Sequence, residues 1–373
     1  MIEALRIRGY RCFPDFRIRG LGQVNLLVGR NCSGKTALLE AVEAVTAHGP
    51  QLARVWAPLL RRGERLPEHG DRPSRFTEYD VSHLFFGHTI GIGAKFEIEG
   101  ESRAAYPALR VTIVQRARDS YAGPTGLFPE DEFDAEGSPV EPVGLSIGLS
   151  GSPEPLLVPI TSRGGLRPRA LGPTYDRLAP DEDVRNTTYV SPDSLTAFTA
   201  SQYWKSIALT TEEHLVVEAL RVLQPDVARV AFVDPPRREG ASGRGGLLVL
   251  FKGAERPVPI GSLGDGMWRM FCIAVALIRS RAGTLLIDEI DSGLHHSVME
   301  NMWWLVLQTA ERHDTQVFAT THSSDCVSSL ASICRGGRPG QVSLQRIESG
   351  ASQAVAYSEE EIWAAARHGI ETR

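Results

Sequence analysis

The sequence predicts an α/β fold with a mixed central sheet, an antiparallel β subdomain and an inserted irregular or helical region. The first observation is an apolar strand, Val24 to Val28, that leads into a glycine-rich turn and a helix. The second is the alternation of helix and strand between residues 261 and 325, which begins with a helix predicted over residues 265–279 and is typical of parallel strands joined by crossover helices. The third is a set of short strand-like segments at residues 1–20 and 88–117.

Composition excludes several classes of protein. The chain of 373 residues is 42% hydrophobic, which is enough to bury a sizeable core. Its start does not resemble a secretory signal, and apolar stretches such as residues 270–278 are shorter than the ~20 residues that cross a membrane. The five cysteines form no CxxC pair, so no cysteine zinc site is indicated. We therefore expect a cytoplasmic protein without a membrane partner, and the net charge of -5 gives no global reason to expect nucleic-acid binding.

We predict one domain over residues 1–373, with several parts along the chain. Residues 49–80 suggest a surface excursion, and residues 118–185 an irregular or β-rich insertion. Ser358 and Glu361 fit a capping box for a last helix that stops at Gly369. The predicted parts are N-terminal strands with the glycine-rich turn (1–48), an excursion and β subdomain (49–117), an insertion (118–190), a helical arm and hairpin (191–260), a regular core (261–325) and a C-terminal hairpin and helix (326–373).

The glycine-rich turn has the pattern of a phosphate-binding loop. Gly29-Arg-Asn-Cys-Ser-Gly-Lys-Thr36 matches GxxxxGK[S/T] and lies between a strand and a helix, as the mechanism requires. The two glycines let backbone N–H groups and the helix N-terminus face phosphates. Lys35 would contact the β and γ phosphates, and Thr36 would hold Mg²⁺. The residues assigned to the nucleotide are Gly29, Asn31, Cys32, Ser33, Gly34, Lys35 and Thr36.

Two further observations bear on this loop. The chain has 40 lysines and arginines, and only four of them are lysines, at positions 35, 95, 205 and 252. Because the sequence uses arginine almost everywhere else, a lysine such as Lys35 indicates a position where arginine would not fit. None of the four belongs to the Asn-Lys-x-Asp element with which Ras-type GTPases recognise guanine, so ATP is favoured. A chance glycine turn is the alternative, and the flanking strand and helix disfavour it.

Two later strands end in residues that suit phosphate chemistry. Leu285 to Asp291 is an apolar strand followed by carboxylates, in which Asp288 would hold Mg²⁺ through water and Glu289 would orient or deprotonate the attacking water. One strand later, His322 follows an apolar run at the same predicted sheet edge and would contact the γ phosphate as a second catalytic residue. A solvated strand end and a hydrogen-bonded histidine are the alternatives.

These elements, in this order, resemble the ABC-type ATPase heads of the SMC, RecF and OLD proteins. In that family the loop commonly reads GxNxSGK[S/T], which Asn31 and Ser33 match, and a signature motif LSGGQ precedes the acidic strand by one helix. Leu263-Gly-Asp-Gly-Met267 stands at that position here. The resemblance implies an ATP-dependent homodimer, or a larger assembly, that holds nucleotide between subunits. The contacts to the other subunit's ATP would come from Leu263, Gly264, Asp265 and Gly266.

The resemblance assigns some further positions. Ser292 to His295 falls at the family's D-loop, and His322 at its switch histidine. Arg11, in Gly-Tyr-Arg-Cys-Phe, is similar to the family's early FRxF arginine that can approach the nucleotide, although an exposed strand arginine is the commoner case. Gly264 replaces the signature serine, which leaves the backbone N–H groups to make the contact. No residue is assigned to the family's Q-loop glutamine.

The chain resembles OLD-like stand-alone ATPases more than RecF proper in three segments, EIDSGLHHS (289–297), VFATTHSSD (317–325) and SEEEIWAAARHGIETR (358–373). The resemblance covers residues 1–48 and 190–373. OLD nucleases also carry a C-terminal TOPRIM domain, and the 51 residues that follow His322 (373 minus 322) are too few for one. We therefore expect no nuclease activity in this chain.

Three functions remain open at this point. The first is an ATP-driven switch in DNA repair or phage defence that acts on DNA or on a separately encoded nuclease or other effector. The second is a nucleotide-sensing scaffold with little turnover and no direct DNA binding. The third, a small-molecule kinase, is disfavoured because the carboxylate pair and the following histidine suit attack by water. Candidate DNA contacts are Arg61, Arg62, Arg65, Arg163, Arg167 and Arg169.

Overall fold

The computed structural model describes residues 1–47, 54–67, 77–101, 108–115, 143–149, 154–161, 163–167, 187–232, 246–334 and 341–367. The helices are α1 (Lys35–Val45), α2 (Ala57–Arg62), α3 (Ala197–Ile207), α4 (Glu213–Arg221), α5 (Asp265–Arg279), α6 (His296–His313), α7 (Ser324–Cys334) and α8 (Glu359–Arg367). The strands before residue 200 are β1 (Ala4–Tyr10), β2 (Phe13–Arg19), β3 (Val24–Val28), β4 (Tyr79–Asp80), β5 (Lys95–Glu101), β6 (Leu109–Gln115), β7 (Val143–Leu149), β8 (Leu156–Ile160), β9 (Gly165–Leu166) and β10 (Thr187–Val190). The later strands are β11 (Val227–Phe232), β12 (Leu247–Phe251), β13 (Val258–Pro259), β14 (Thr284–Ile287), β15 (Gln316–Thr320), β16 (Val342–Arg346) and β17 (Val355–Tyr357).

A mixed six-stranded sheet forms the centre of the fold. Its order is β10-β14-β15-β3-β16-β17, and all neighbours pair in parallel except β17, which is antiparallel to β16. Alternate residues of β14 belong to different cores, with Leu286 on one face and Leu285 and Ile287 on the other. A strand that is buried on both faces reads as a continuous apolar run, which is the pattern of β3 and β14 in the sequence.

The second large sheet is antiparallel and covers one face of the phosphate-loop helix. Its order is β2-β1-β5-β6-β7-β8. The buried side chains of α1 share a core with this sheet and with Leu286 and Phe318 of the central sheet. Helix α1 therefore lies between the two sheets. Helices α3 to α7 pack in the other core, on the opposite face of the central sheet.

Several predicted elements are confirmed. The mixed central sheet and the antiparallel β subdomain are both present. The helix predicted over residues 265–279 is α5 with the same ends, and the tail hairpin is β16 with β17. Ser358 and Glu361 form the predicted capping box, since the Ser358 backbone N–H donates to Glu361 Oε2 at 2.8 Å and the Glu361 N–H donates to Ser358 Oγ at 3.4 Å. The helix stop at Gly369 lies outside the described residues.

Part of residues 49–80, the segment predicted as a surface excursion, is anchored in the core. Val55, Trp56 and Leu59 are buried in the same core as α1. Three apolar side chains in one short segment are enough to anchor it. The composition of the segment did not indicate this, because Arg, Pro and Gly residues surround these three. Within the insertion at 118–185, the described residues form β7, β8 and β9, in agreement with its β-rich alternative. The rest of that insertion lies outside the described residues, as does most of the predicted hairpin turn at 240–246.

Candidate active site

Three residues of the phosphate-loop segment have left-handed backbone conformations. Gly29, Cys32 and Gly34 have φ values of 146°, 60° and 104°. A Cβ on Gly29 would lie 2.2 Å from the carbonyl oxygen of Ile347, and a Cβ on Gly34 would lie 2.6 Å from the Phe13 ring. Both glycines are therefore required by their conformation and by close packing. Ser33 is buried behind the loop, whereas Asn31 and Cys32 are exposed.

Lys35 closes the loop from inside. Its Nζ donates to the carbonyl oxygens of Gly29 at 2.7 Å and Arg30 at 2.9 Å, and it lies 3.4 Å from His322 Nδ1. The residue is only 5% exposed. Burial lowers the pKa of Lys35, and the nearby carboxylates of Asp288 and Glu289 partly offset this. An anion in the loop would raise this pKa and favour the charged form, which is the property expected of a phosphate-binding lysine.

Asp288 is held by three hydroxyl groups. Thr36 Oγ1 donates to its Oδ2 at 3.0 Å, Thr320 Oγ1 to its Oδ1 at 2.6 Å, and the Tyr189 hydroxyl to its Oδ2 at 3.2 Å. The side chains come from α1, β15 and β10, and all lie at the carboxyl edge of the parallel strands. The predicted pair of magnesium ligands, Thr36 and Asp288, is thus brought into direct contact.

Glu289 and His322 lie side by side at the same edge. The distance between His322 Nε2 and Glu289 Oε1 is 4.0 Å, and the two side chains are 40% and 46% exposed. Glu289 has a φ of 50°, which is strained for a residue with a side chain, and its N–H donates to Thr320 Oγ1 at 2.8 Å. The strained turn directs the carboxylate away from the buried Asp288 and toward solvent, where a water molecule can reach it.

The signature segment packs against the loop that follows β14. A Cβ on Gly266 would lie 2.9 Å from the carbonyl oxygen of Gly293, and one on Gly293 would lie 3.2 Å from the Asp265 side chain. Gly264 precedes α5 with φ 89° and ψ 170° and is exposed, as is Asp265. The predicted signature residues Leu263 to Gly266 and the predicted D-loop are therefore neighbours within one chain.

Arg11 does not reach the site as a free cation. Its Nε lies 2.7 Å from Glu40 Oε2 and its Nη1 lies 2.9 Å from Glu64 Oε1, and the residue is 7% exposed. The turn that contains it does contact the phosphate loop, because Cys12 Sγ lies 2.9 Å from the position of a Cβ on Gly34. We therefore correct the expectation that the Arg11 guanidinium is available to the nucleotide, since two carboxylates already bind it.

Three of the six arginines offered as DNA contacts are paired with glutamates. Arg61 lies 2.5 Å from Glu43, Arg62 lies 2.8 Å from Glu40, and Arg167 lies 2.5 Å from Glu78. These charges are neutralised within the fold, so they do not add up to a basic face. Arg169 lies outside the described residues.

Sequence reasoning missed a buried arginine beside the site. Arg269, on α5, is 1% exposed and donates to the backbone carbonyl oxygens of Asp288 and Glu289, each at 2.7 Å, and of Ser191 at 2.5 Å. Burial lowers its pKa. A guanidinium that is buried against carbonyl oxygens fixes the strand end that carries both acidic residues. Its one signal in the sequence is a charge inside the apolar run of α5.

Comparisons with known proteins add to this geometry. A family model described as "AAA domain, putative AbiEii toxin, Type IV TA system" matches residues 184–327. An ATP/GTP phosphatase of Helicobacter pylori is 20% identical over 354 residues, which are 90% of this chain and 89% of that protein. An OLD nuclease of Thermus scotoductus is 22% identical over 343 residues, which are 87% of this chain but span only 59% of that protein. An SMC head domain from Thermotoga maritima has a TM-score of 0.44 at 14% identity, over 96% of this chain and 98% of that one.

The fold and the site define a class of protein. A phosphate loop between a strand and a helix, with an acidic strand end two strands away in a parallel sheet, is the construction of a P-loop nucleoside triphosphatase. The family match spans the predicted signature segment and the acidic strand, and the two relatives are named an ATP/GTP phosphatase and an OLD nuclease. These matches support the expected resemblance of the chain to ABC-type ATPases of the SMC, RecF and OLD group.

Within the described residues, no helix is both long enough and apolar enough to cross a lipid bilayer.

Proposed function

We propose that this protein binds ATP with Mg²⁺ at the phosphate loop and hydrolyses it to ADP and phosphate. The observation that carries the proposal is the convergence of five functional side chains from three separate strand ends at one sheet edge. Charged and hydrogen-bonding groups fixed in this way stabilise developing charge without reorganising during the reaction. The five side chains are Lys35, Thr36, Asp288, Glu289 and His322.

The residues at the metal position fit Mg²⁺. Thr36 and Asp288 offer a hydroxyl and a carboxylate oxygen within 3.0 Å of each other, and Mg²⁺ prefers such oxygen ligands. No group of three or more His, Cys, Asp or Glu in the described part of the chain could hold a metal alone. The remaining ligands would be phosphate oxygens and water, which is the usual arrangement for this ion. The bound ion would neutralise charge on the phosphates.

The chain's own residues then have distinct roles. Lys35 binds the β and γ phosphate oxygens in place of the loop carbonyls that it now contacts. Glu289 orients a water molecule and accepts its proton, and His322, 4.0 Å away, donates to the γ phosphate. Backbone N–H groups between Gly29 and Thr36 surround the phosphates.

Two substitutions test the binding part of this proposal. Lys35→Ala removes a charged hydrogen-bond donor, which contributes about 1.5–3 kcal/mol, so ATP should bind about 10- to 100-fold more weakly. Asp288→Asn should leave ATP binding in EDTA unchanged and abolish its enhancement by Mg²⁺. Both quantities are measured by titration with a fluorescent ATP analogue. Lys205→Ala is the matched control, since Lys205 is an exposed lysine on α3. Equal ATP affinity for Lys35→Ala and Lys205→Ala would contradict the proposed site.

We further propose that ATP brings two copies of the chain together. Leu263, Gly264, Asp265 and Gly266 would complete the partner's site, and Asn31, exposed on the phosphate loop, would lie at the interface. This arrangement would let the protein act as a switch for a separately encoded effector, such as a nuclease, in DNA repair or phage defence.

One observation favours the second candidate function, a nucleotide-sensing scaffold without direct DNA binding. Arg61, Arg62 and Arg167 are engaged by glutamates, so three of the six arginines that would supply a DNA-binding face are neutralised. A DNA gel shift that weakens with increasing salt would favour the switch on DNA. No shift at physiological ionic strength, together with slow ATP turnover, would favour the scaffold.

A further inference from the structure

Tyr189 lies at the metal position, although no sequence motif includes it. It belongs to β10, the edge strand that pairs with β14 in parallel. Its partner on β14 is Leu286, and Leu286 is two residues before Asp288 in the sequence. Its hydroxyl donates to Asp288 Oδ2 at 3.2 Å. A tyrosine hydroxyl carries its proton at neutral pH, so it is the donor in this hydrogen bond.

The ring of Tyr189 is itself held in place by a cation. The guanidinium carbon of Arg61, on α2, lies 3.8 Å from the ring centroid, which is a cation–π geometry. Arg61 in turn makes a two-point contact with Glu43, at 3.0 Å and 2.5 Å. Glu43 and the metal-binding Thr36 are seven residues apart on α1, so they lie on the same face of that helix.

The two oxygens of Asp288 therefore have different supports. Oδ1 accepts from Thr320, and Oδ2 accepts from Thr36 and Tyr189. The torsion that rotates a carboxylate about its last bond is broad, so the plane of the group is set by donors on both oxygens. Of the two donors to Oδ2, Thr36 is itself a proposed metal ligand. Tyr189 is therefore the donor that can hold Oδ2 in place without itself binding the metal ion.

We propose that Tyr189 is a positioning residue for the metal site, holding the Asp288 carboxylate in the plane that faces Thr36, and that Arg61 and Glu43 hold the phenol ring. This inference rests on the proposed function, because it requires Mg²⁺ at Thr36 and Asp288. Groups that orient a metal ligand from outside commonly change metal affinity by 10- to 100-fold when they are removed. The segment around α2, which was expected to be a surface excursion, would thereby contribute to the site.

The test is the Mg²⁺ dependence of ATP turnover in a Tyr189→Phe variant, which removes the hydroxyl and keeps the ring beneath Arg61. We expect the Mg²⁺ concentration for half-maximal turnover to rise about tenfold. Turnover at saturating Mg²⁺ should return to within about twofold of wild type, and ATP-analogue binding in EDTA should be unchanged. Tyr203→Phe is the matched control, because Tyr203 is a half-buried tyrosine whose hydroxyl is bonded to Thr188 instead of Asp288.

A second variant tests the support of the ring. Arg61→Lys keeps a positive partner for Glu43 and removes the planar group over Tyr189, so a smaller rise of about threefold in the same Mg²⁺ concentration is expected. This variant also tests the inference with the phenol in place, should Tyr189→Phe fail to fold. A melting curve for each variant shows whether it is folded.

The outcomes separate the inference from the proposed function. If wild type turns over ATP with Mg²⁺ and Tyr189→Phe has the same Mg²⁺ requirement, the positioning role is wrong and the ATPase site stands. A loss of turnover in Tyr189→Phe that excess Mg²⁺ does not restore would also overturn it, since a purely structural role predicts that result. If wild type itself shows no Mg²⁺-dependent turnover, the proposed function fails and this inference fails with it.

Discussion

Gly264 stands where the signature motif of the resembled family has a serine, and the backbone conformation at this position explains the glycine. Its φ of 89° and ψ of 170° lie in a region that is accessible essentially to glycine alone. A serine there would have open space, because nothing lies within 4 Å of an added Cβ, but it would be strained. The glycine at the signature serine's position is therefore explained by conformation, without any steric conflict.

This explanation makes a prediction about Gly264→Ser, the variant that restores the family residue. We expect it to lower the free energy of unfolding by about 1–3 kcal/mol, as measured by urea denaturation. Gly261→Ser is the matched control, since Gly261 is close in sequence, equally open and outside the left-handed region. If both variants unfolded at the same urea concentration, the conformational explanation would be contradicted.

The sequence predicted the main candidate residues but not what holds them. Asp288, Glu289 and His322 could be placed together because parallel strands present their carboxyl ends at one edge. Arg269 and Tyr189 could not, because they act through backbone carbonyls and a single hydroxyl. Such contacts depend on the packing of whole elements and leave no short motif. The chemical roles of all these residues remain predictions.

At the scale of elements, regular segments were predicted well and charge-rich segments were not. Helix α5 was predicted with its correct ends, because its apolar run follows a glycine turn and precedes a strand. Residues 54–67 belong to the segment that was predicted to lie at the surface, because arginines are usually solvated. Arg61 and Arg62 instead pair with Glu43 and Glu40, which lie 18 and 22 residues earlier on α1. Ion pairs at that separation follow from tertiary packing alone.

At the scale of the molecule, the central sheet separates two cores and leaves its carboxyl edge as the place where several elements meet. Helix α1 lies in one core and α5 in the other, so the phosphate loop and the signature segment approach this edge from opposite faces of the sheet. The proposed division into parts along the chain remains a prediction.

Self-association tests the proposal at this scale. Glu289→Gln protein should bind Mg²⁺-ATP and hydrolyse it slowly, so an ATP-held dimer should accumulate. We expect light scattering to show twice the mass of the nucleotide-free protein, whereas Lys35→Ala protein should keep its original mass under the same conditions. An unchanged mass for ATP-bound Glu289→Gln would contradict the nucleotide-held dimer.

In the proposed mechanism, Glu289 performs the hydrolytic step at this sheet edge. The most direct measurement is steady-state ATP turnover by Glu289→Gln protein with bound ATP confirmed, beside Glu300→Gln, in which an exposed glutamate on α6 is changed. We expect turnover by Glu289→Gln to fall about 10²- to 10⁴-fold, the usual contribution of a general base, and turnover by Glu300→Gln to match wild type. Turnover by Glu289→Gln within twofold of wild type, at full ATP occupancy, would contradict the account.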